Sequence, residues 1–172
     1  MFQIMLNRFA SAPATVLMVF GAFLCPLDDA QAASTSTITG TATVIDADTI
    51  DIHGARIRLQ AVDAIESRQR CTLPNGKEWR CGTDSANALA KKIGRAPVEC
   101  RVSGKDRYGR FVARCFQKGE DLNAWLVANG WAVAYRQYGR EYVPQENAAR
   151  KAKRGVWASR FVMPWDWRRG QR

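Results

Sequence analysis

Three short segments of the chain carry carboxylates and arginines close to each other in sequence. Residues 44–50 read Val-Ile-Asp-Ala-Asp-Thr-Ile, residues 58–66 read Arg-Leu-Gln-Ala-Val-Asp-Ala-Ile-Glu, and residues 106–110 read Asp-Arg-Tyr-Gly-Arg. Carboxylate oxygens are the ligands that hard metal ions prefer, and the planar arginine fork matches a phosphate group. The combination favours a metal ion and a phosphate bound at one place, which is what cleavage of a phosphodiester requires.

The segments lie on strand ends and turns of a predicted β-rich region. Residues 38–63 are rich in Thr, Val and Ile, and Gly40 and Gly54 separate the strands. Arg58 stands between Ile57 and Leu59. Strand alternation therefore turns its side chain away from the face that these two residues bury.

The rest of the chain predicts helices and a second hairpin. In chain order we expect a loop over residues 67–80, a helix over 84–93, a hairpin over 97–117, and helices over about 121–130 and 144–153. The hairpin is expected to turn at residues 103–105, and Asp121 is expected to cap the helix that follows it. Glu146 and Arg150 stand at the i,i+4 spacing of a surface ion pair. Together with the strands, this order predicts an α+β fold: a five-stranded antiparallel β-barrel with about three helices, which matches an OB-fold.

The N-terminal region resembles a secretory signal peptide. An apolar run over residues 12–27 follows Arg8 and precedes the small-x-small sequence Ala30-Gln31-Ala32. We therefore predict a signal peptide over residues 1–32 and a periplasmic or secreted protein. A membrane anchor is the alternative, although Pro13, Gly21 and Pro26 interrupt the run and it is short for a span. The mature chain is then predicted to have a flexible tail over 33–37, one domain over 38–168 and a basic tail over 169–172.

The chain is strongly basic, with 26 Lys and Arg against 16 Asp and Glu and a formal charge of +10. Such a balance attracts polyanions, including nucleic acids. A solvated basic surface explains the same number, so charge alone does not decide the function.

Four cysteines follow the predicted signal peptide, an even number that favours two disulfides in an exported protein. Cys100 and Cys115 lie on the two strands of the predicted hairpin, which leaves Cys71 and Cys81 to close a loop. A zinc site is the alternative, but the sequence has no Cys-x-x-Cys pair. The sequence has one histidine, His53, which is predicted to lie in an exposed hairpin turn. Catalysis through histidine or cysteine is therefore not expected.

The motifs together resemble the thermonuclease family, also called staphylococcal-nuclease-like. They are Asp46-Ala47-Asp48-Thr49, Arg58-Leu59 leading to Asp63-Ala64-Ile65-Glu66, Asp106-Arg107-Tyr108-Gly109-Arg110, and Ala148-Ala149-Arg150 followed by Gly155-Val156-Trp157. Each motif alone is weak, whereas all four in this order resemble the family over residues 38–158.

The resemblance implies roles for nine residues. Asp48, Asp63 and the Ala64 carbonyl would bind Ca²⁺, while Glu66 would orient or deprotonate the attacking water. Arg58 and Arg110 would bind the scissile phosphate, and Arg107, Tyr108 and Tyr135 would contact the nucleotide. The tryptophans near the C-terminus, Trp157, Trp165 and Trp167, are interpreted as packing residues rather than base-stacking platforms.

The sequence thus favours a calcium-dependent, sugar-non-specific nuclease that cleaves DNA and RNA, leaving 3′-phosphate ends by resemblance. We expect a monomer without stable membrane association once the signal peptide is removed. The alternative from another class is a non-catalytic OB-fold module that binds single-stranded nucleic acid.

The signal peptide generates the first testable prediction. N-terminal sequencing of the exported protein should begin at Ala33 or Ser34, because cleavage follows the small residues that end the apolar run. A product that retains Met1 in the cytoplasm would contradict this prediction.

Overall fold

A computed structural model describes residues 36–172, so the predicted signal peptide lies outside the described residues. Eleven strands occur there: β1 (Thr37–Gly40), β2 (Thr43–Asp46), β3 (Thr49–Ile52), β4 (Ala55–Leu59), β5 (Val62–Ala64), β6 (Cys71–Thr72), β7 (Glu78–Trp79), β8 (Val98–Lys105), β9 (Phe111–Gln117), β10 (Glu120–Asp121) and β11 (Ala132–Ala134). Four α-helices accompany them: α1 (Cys81–Ile93), α2 (Leu122–Ala128), α3 (Val143–Lys151) and α4 (Pro164–Arg168), with a 3-10 helix over Gly155–Ala158. The fold class is α+β, as predicted.

The main sheet is mixed, which differs from the predicted antiparallel five-stranded barrel. Its strand order is β1-β8-β9-β4-β3-β2, with β10 also paired to β9, and within residues 36–172 this path does not close into a ring. Strands β4 and β9 pair in parallel, whereas the other neighbours are antiparallel. A parallel pair needs a long crossover connection, and here α1 and β8 lie between the two strands in sequence. Strands β5 and β11 form a separate antiparallel pair.

The hairpin of β8 and β9 forms, but its turn lies later than predicted. Residues 103–105 belong to β8. The strand has a register shift between Val102 and Gly104, and Gly104 still pairs with β9. The turn is built instead by Asp106, whose Oδ1 accepts hydrogen bonds from the backbone nitrogens of Tyr108 at 2.9 Å and Arg110 at 3.0 Å. Gly109 supplies the positive φ of 80° that the turn requires.

The two disulfides join the cysteines in the predicted pairs. Cys100 lies directly opposite Cys115 in the β8–β9 ladder, and the two are bonded. The second disulfide joins Cys71 at the start of β6 to Cys81 at the start of α1. The 67–80 region is therefore a small cross-linked hairpin of β6 and β7, rather than an irregular loop.

The helices lie close to the predicted positions, whereas one of the two predicted side-chain interactions is wrong. Asp121 caps α2 by accepting a hydrogen bond from the Ala124 backbone at 2.9 Å, as predicted. Glu146 is buried and accepts hydrogen bonds from the Ala134 backbone and from both terminal nitrogens of Arg136. The predicted surface pair with Arg150 is therefore wrong, because Glu146 faces β11 and satisfies its backbone.

The main core lies between the sheet and the helices. It combines apolar residues of β3, β4, β8 and β9 with residues of α1 and α2, among them Ile50, Ile57, Leu59, Leu89 and Leu126. A second, smaller cluster contains Ile65, Val156 and the Cys71–Cys81 disulfide. None of the helices within residues 36–172 combines the length and apolar character that a membrane span needs.

Asn123 joins three elements of the core. It is fully buried, its Oδ1 accepts a hydrogen bond from the Cys115 backbone at 3.1 Å, and its Nδ2 donates to the carbonyls of Gln60 at 3.0 Å and Ala113 at 3.3 Å. We predict that Asn123→Leu lowers the free energy of unfolding by about 2–3 kcal/mol, because buried backbone groups lose their partners. Denaturant unfolding measures this, with exposed Asn147→Leu as the matched control. Equal stability of the two variants would contradict the assignment.

Candidate active site

The predicted site residues surround one open cavity of about 670 Å³. Eight of the nine line it: Asp48, Arg58, Ala64, Glu66, Arg107, Tyr108, Arg110 and Tyr135. The ninth, Asp63, is fully buried and lies in contact with Arg58, which lines the cavity. Residues far apart in sequence are therefore brought to one place by the β2–β3 turn, β4, β5 and the β8–β9 turn.

Asp48 occupies the turn between β2 and β3 and is almost buried. Its Oδ2 accepts a hydrogen bond from the Ala64 backbone at 2.8 Å, and its Oδ1 accepts one from Thr49 Oγ1 at 3.1 Å. The first bond joins the β2–β3 turn to the end of β5. Asp48 and the Ala64 peptide are thereby held side by side.

Arg58 connects the two buried aspartates. Strand alternation places it opposite the buried side chains of Ile57 and Leu59, as predicted. Its Nη1 lies 2.8 Å from Asp48 Oδ2, and its Nη2 lies 3.1 Å from Asp63 Oδ1. A guanidinium is thus presented to the cavity at the same edge as the carboxylates.

A second arginine reaches the same carboxylates from the C-terminal end of the chain. Arg168 Nη2 lies 2.8 Å from Asp63 Oδ2, and Arg168 Nη1 lies 3.0 Å from Asp63 Oδ1 and 2.5 Å from Glu66 Oε1. The arrangement with Asp63 is bidentate, the geometry in which arginine binds a carboxylate most strongly. The hydrogen bonds that Arg168 donates to the two carboxylates, first to Asp63 and then to Glu66, raise the pKa of Arg168 although burial opposes them.

Burial dominates the electrostatics of the acidic residues. It raises the pKa of Asp63 and of Glu66, while hydrogen bonds from Arg168 act in the opposite direction. The pKa of Asp46 is also raised, by burial and by the nearby charge of Asp48. The cost of burying these carboxylates is offset by hydrogen bonds and by nearby positive charge: Arg168 acts on Asp63 and Glu66, whereas Ser67 and the Ala47 backbone act on Asp46.

Glu66 follows β5 and is positioned through its backbone. Its carbonyl accepts a hydrogen bond from Gln69 N at 2.8 Å, and the preceding Ile65 is fully buried beside the Cys71–Cys81 disulfide. Helix α1 packs so closely here that a Cβ added at Gly82 would overlap the Glu66 carbonyl. The side chain of Glu66 is thus directed toward the cavity by packed elements on the other side of its backbone.

Arg110 is held by the turn that precedes it. Its Nε and Nη2 both lie 2.8 Å from Asp106 Oδ2, and its Nη1 lies 3.4 Å from Thr49 Oγ1. Burial acts to raise the pKa of Asp106, but hydrogen bonds from Arg110 and from the turn backbone outweigh it and lower that pKa. Asp106 therefore stays ionised and orients Arg110 beside the β2–β3 turn.

Aromatic residues form the far wall of the cavity. Tyr108 is 68% exposed and lies beside Arg107, whose Nη2 is 2.7 Å from Tyr108 Oη. Tyr135 contacts Tyr138 edge-on, and Trp165 stacks on Tyr135 with ring centres 5.8 Å apart. Trp165 therefore packs against the protein, as predicted, but it does so on a predicted nucleotide-binding residue.

The donor set fits a hard cation. Asp48, Asp63 and the Ala64 peptide supply oxygen atoms only, which suits Ca²⁺ and excludes a thiolate–imidazole zinc centre. Within residues 36–172, no three carboxylate, imidazole or thiolate groups converge in a metal-holding arrangement. The carboxylates instead surround the guanidinium groups of Arg58 and Arg168, so positive charge occupies the place where the resemblance expects a cation.

Sequence reasoning missed Arg168, which lies in a segment without a recognised motif. Its contacts with Asp63 and Glu66 span more than a hundred positions, so no local spacing indicates them. Asp106 was recognised only as part of a motif, although its place four residues before Arg110 resembles a local ion pair.

Comparison with known proteins identifies the family. The family model described as staphylococcal nuclease homologue matches residues 56–159. The chain is 39% identical over 153 residues to the succinoglycan biosynthesis protein ExoI of Rhizobium meliloti (strain 1021), which covers 87% of this chain and 79% of that protein. It is 33% identical over 133 residues to an uncharacterized endonuclease of Escherichia coli O157:H7, with 73% and 80% covered.

A rice relative matches a smaller part of its own length. The probable staphylococcal-like nuclease CAN2 of Oryza sativa subsp. japonica is 37% identical over 120 residues, which covers 68% of this chain and only 30% of the plant protein. The similarity is therefore to less than a third of that relative's length. The family model spans the chain from β4 to the 3-10 helix and includes most of the residues that line the cavity, whereas Asp48 and Arg168 lie outside the matched range. The chain belongs to the staphylococcal nuclease homologue family.

Proposed function

We propose that the protein is a calcium-dependent, sugar-non-specific nuclease that hydrolyses phosphodiester bonds of DNA and RNA outside the cytoplasm, using an OB-fold domain. The observation that carries this proposal is the convergence of Asp48, Glu66, Arg58 and Arg110 on one cavity above buried Asp63. The names of the rice and Escherichia coli relatives, a staphylococcal-like nuclease and an endonuclease, support the same reaction class.

The buried carboxylates would hold the metal. Asp48 and Asp63 with the Ala64 carbonyl are the protein ligands we assign to Ca²⁺, because all three offer hard oxygen donors, the Ala64 backbone bonds Asp48, and Arg58 bonds both aspartates. Bound calcium would supply charge stabilisation at the phosphoryl oxygens. Removal of the metal by a chelator is therefore expected to abolish cleavage.

Glu66 is assigned to the attacking water. Partial burial raises its pKa above the ordinary value, which makes its carboxylate a better proton acceptor than an exposed one. Its side chain remains partly accessible from the cavity, with 24% of it exposed. Glu66 therefore combines access to solvent with the basicity that water activation requires.

Arg58 and Arg110 are assigned to the scissile phosphate. Both guanidinium groups line the cavity, and each is held by an aspartate that also lines it, Asp48 for Arg58 and Asp106 for Arg110. Preorganised donors of this kind stabilise the charge that develops on a phosphoryl group. Arginine forks contact phosphate without reading the base, so we expect low sequence specificity.

Substrate beyond the scissile phosphate would lie along the aromatic wall. Arg107, Tyr108 and Tyr135 line the cavity and offer one cation and two rings to a nucleotide. The two disulfides suit an oxidising compartment, which supports the proposed location outside the cytoplasm.

The metal assignment predicts partial rescue by calcium. Asp48→Asn should cut cleavage at low calcium, and part of the activity should return as calcium is raised, because the variant weakens the site without removing the other ligands. Asp51→Asn is the matched control. Asp51 lies on the adjacent strand, and its side chain accepts a hydrogen bond only from the Gly54 backbone among the described residues. Cleavage rates across a calcium titration measure the effect. Activity of Asp48→Asn that does not respond to calcium would argue against Asp48 as a ligand.

The catalytic assignments predict binding without turnover. Glu66→Gln should reduce kcat by on the order of 10²–10⁴-fold, because the change removes a base and keeps the shape. Arg110→Lys should reduce it by on the order of 10²–10³-fold, because a point charge does not reproduce the donor fork. Neither substitution removes a positive charge, so affinity for DNA and its salt dependence should be nearly retained.

This experiment has two control variants, and one outcome would favour the alternative function. Glu99→Gln and Arg114→Lys change the same residue types at half-buried positions away from the cavity and should leave cleavage intact. Plasmid and total RNA with calcium or with a chelator serve as substrates. Wild-type cleavage by both Glu66→Gln and Arg110→Lys would overturn the assignment and favour the non-catalytic module that binds single-stranded nucleic acid.

A further inference from the structure

The C-terminal segment of residues 163–172, which we call the C-terminal strap, covers the metal-binding end of the site. It contains α4, and Arg168 at the end of that helix is the residue that reaches Asp63 and Glu66. Trp165, one turn earlier, stacks on Tyr135. One short helix therefore contacts both the carboxylates and the aromatic wall.

Arg168 occupies the space between two groups with different assigned roles. Its Nη1 lies 3.0 Å from Asp63 Oδ1 and 2.5 Å from Glu66 Oε1, so one nitrogen bridges the proposed metal ligand and the proposed water-activating carboxylate. Its Nη2 takes the other oxygen of Asp63. A metal ion bound by Asp63 and a water oriented by Glu66 would both need the volume and the carboxylate oxygens that Arg168 now uses.

Apart from these contacts, the strap is attached to the domain by packing, with Pro164 buried and Trp165 stacked on Tyr135, rather than by hydrogen bonds. The preceding residues are fastened to the domain: the Arg160 backbone exchanges two hydrogen bonds with Thr72, and Gln69 Nε2 donates to the Val162 carbonyl at 2.5 Å. From residue 163 onward, the backbone hydrogen bonds of the described chain stay within the strap. Its only hydrogen bonds to the rest of the described domain come from the Arg168 side chain.

We propose that the C-terminal strap is an autoinhibitory element in which Arg168 acts as an internal cation that competes with calcium. In the absence of metal, Arg168 neutralises Asp63 and Glu66 and the strap is closed. Arg168 would leave Asp63 and Glu66 when these carboxylates hold calcium, and the end of the strap that carries Arg168 would then move away from them. A ligand that binds only a minor state has a reduced apparent affinity. The apparent calcium affinity is therefore the affinity of the open state multiplied by the fraction of molecules in which the strap is open.

The proposal rests on the proposed function and is tested first by calcium affinity. Isothermal titration calorimetry of calcium into chelator-treated protein compares wild type with Arg168→Gln. The matched control is Arg169→Gln, which removes the same charge from the neighbouring residue, whose ion pair at 3.5 Å is with Asp166 inside the strap. Arg168→Gln should bind calcium at least about tenfold more tightly than wild type and the control. Arg168→Lys, which keeps the charge and loses the bidentate fork, should lie between them.

Thermal unfolding supplies a readout independent of activity and of affinity. In chelator, Arg168→Gln should melt at a lower temperature than wild type, because Glu66 loses its cation and Asp63 keeps only Arg58. In saturating calcium the difference should disappear, because the wild-type strap is then released. A difference that persists unchanged in calcium would overturn the proposal, since Arg168 would remain in place in the loaded enzyme.

The outcomes separate this proposal from the proposed function. Equal calcium affinity of wild type and Arg168→Gln, with cleavage retained, overturns the strap alone. Weaker calcium binding or a loss of kcat in Arg168→Gln also overturns it and makes Arg168 a positioning or phosphate-binding residue. Absence of calcium binding in both proteins overturns the proposed calcium dependence and the competition together.

Discussion

The constraint on which the site depends is the complete burial of the Asp63 carboxylate. A buried charge is tolerated only when it is paired and hydrogen-bonded, and Asp63 lies in the centre of β5, opposite Val133 of β11, where no water-exposed surface is available to it. Positive charge must therefore come to Asp63. Arg58 reaches it from β4 and Arg168 from the C-terminal strap, so guanidinium groups from two distant segments neutralise the buried carboxylate.

Local patterns were sufficient to predict the parts of the site that depend on strand geometry. Alternation around Arg58 set its direction, since Ile57 and Leu59 fill the core. The cysteines on opposite strands of a hairpin met as expected. The positions of Asp48 and Glu66 at the ends of strands followed from short polar motifs that end apolar runs. In each case, the determining interactions lie within a few residues of the motif or across one hairpin.

Features that depend on distant contacts were not predicted. The parallel pairing of β4 with β9 is determined by how α1 and β8 cross the domain, and the two-residue alternation of each strand is the same for either direction. Glu146 stands at an ideal surface spacing from Arg150, yet it is buried because the Ala134 backbone and Arg136 of another segment need an acceptor. Arg168 directly precedes the predicted basic tail and belongs to no motif. Only the three-dimensional fold reveals that its side chain contacts the carboxylates.

The position of Glu66 depends on core packing and on the Cys71–Cys81 disulfide. Glu66 immediately follows Ile65, whose buried side chain contacts the cluster built around the Cys71–Cys81 disulfide. Cys81 is also the first residue of α1, and the next residue, Gly82, is the point where that helix meets the Glu66 backbone. The disulfide therefore fixes the start of α1 against the loop that follows β5. A shift of about 1 Å in a catalytic group can reduce a rate on the order of 10²-fold, so the same cross-link that stabilises the small second core also holds the geometry that the role proposed for Glu66 requires.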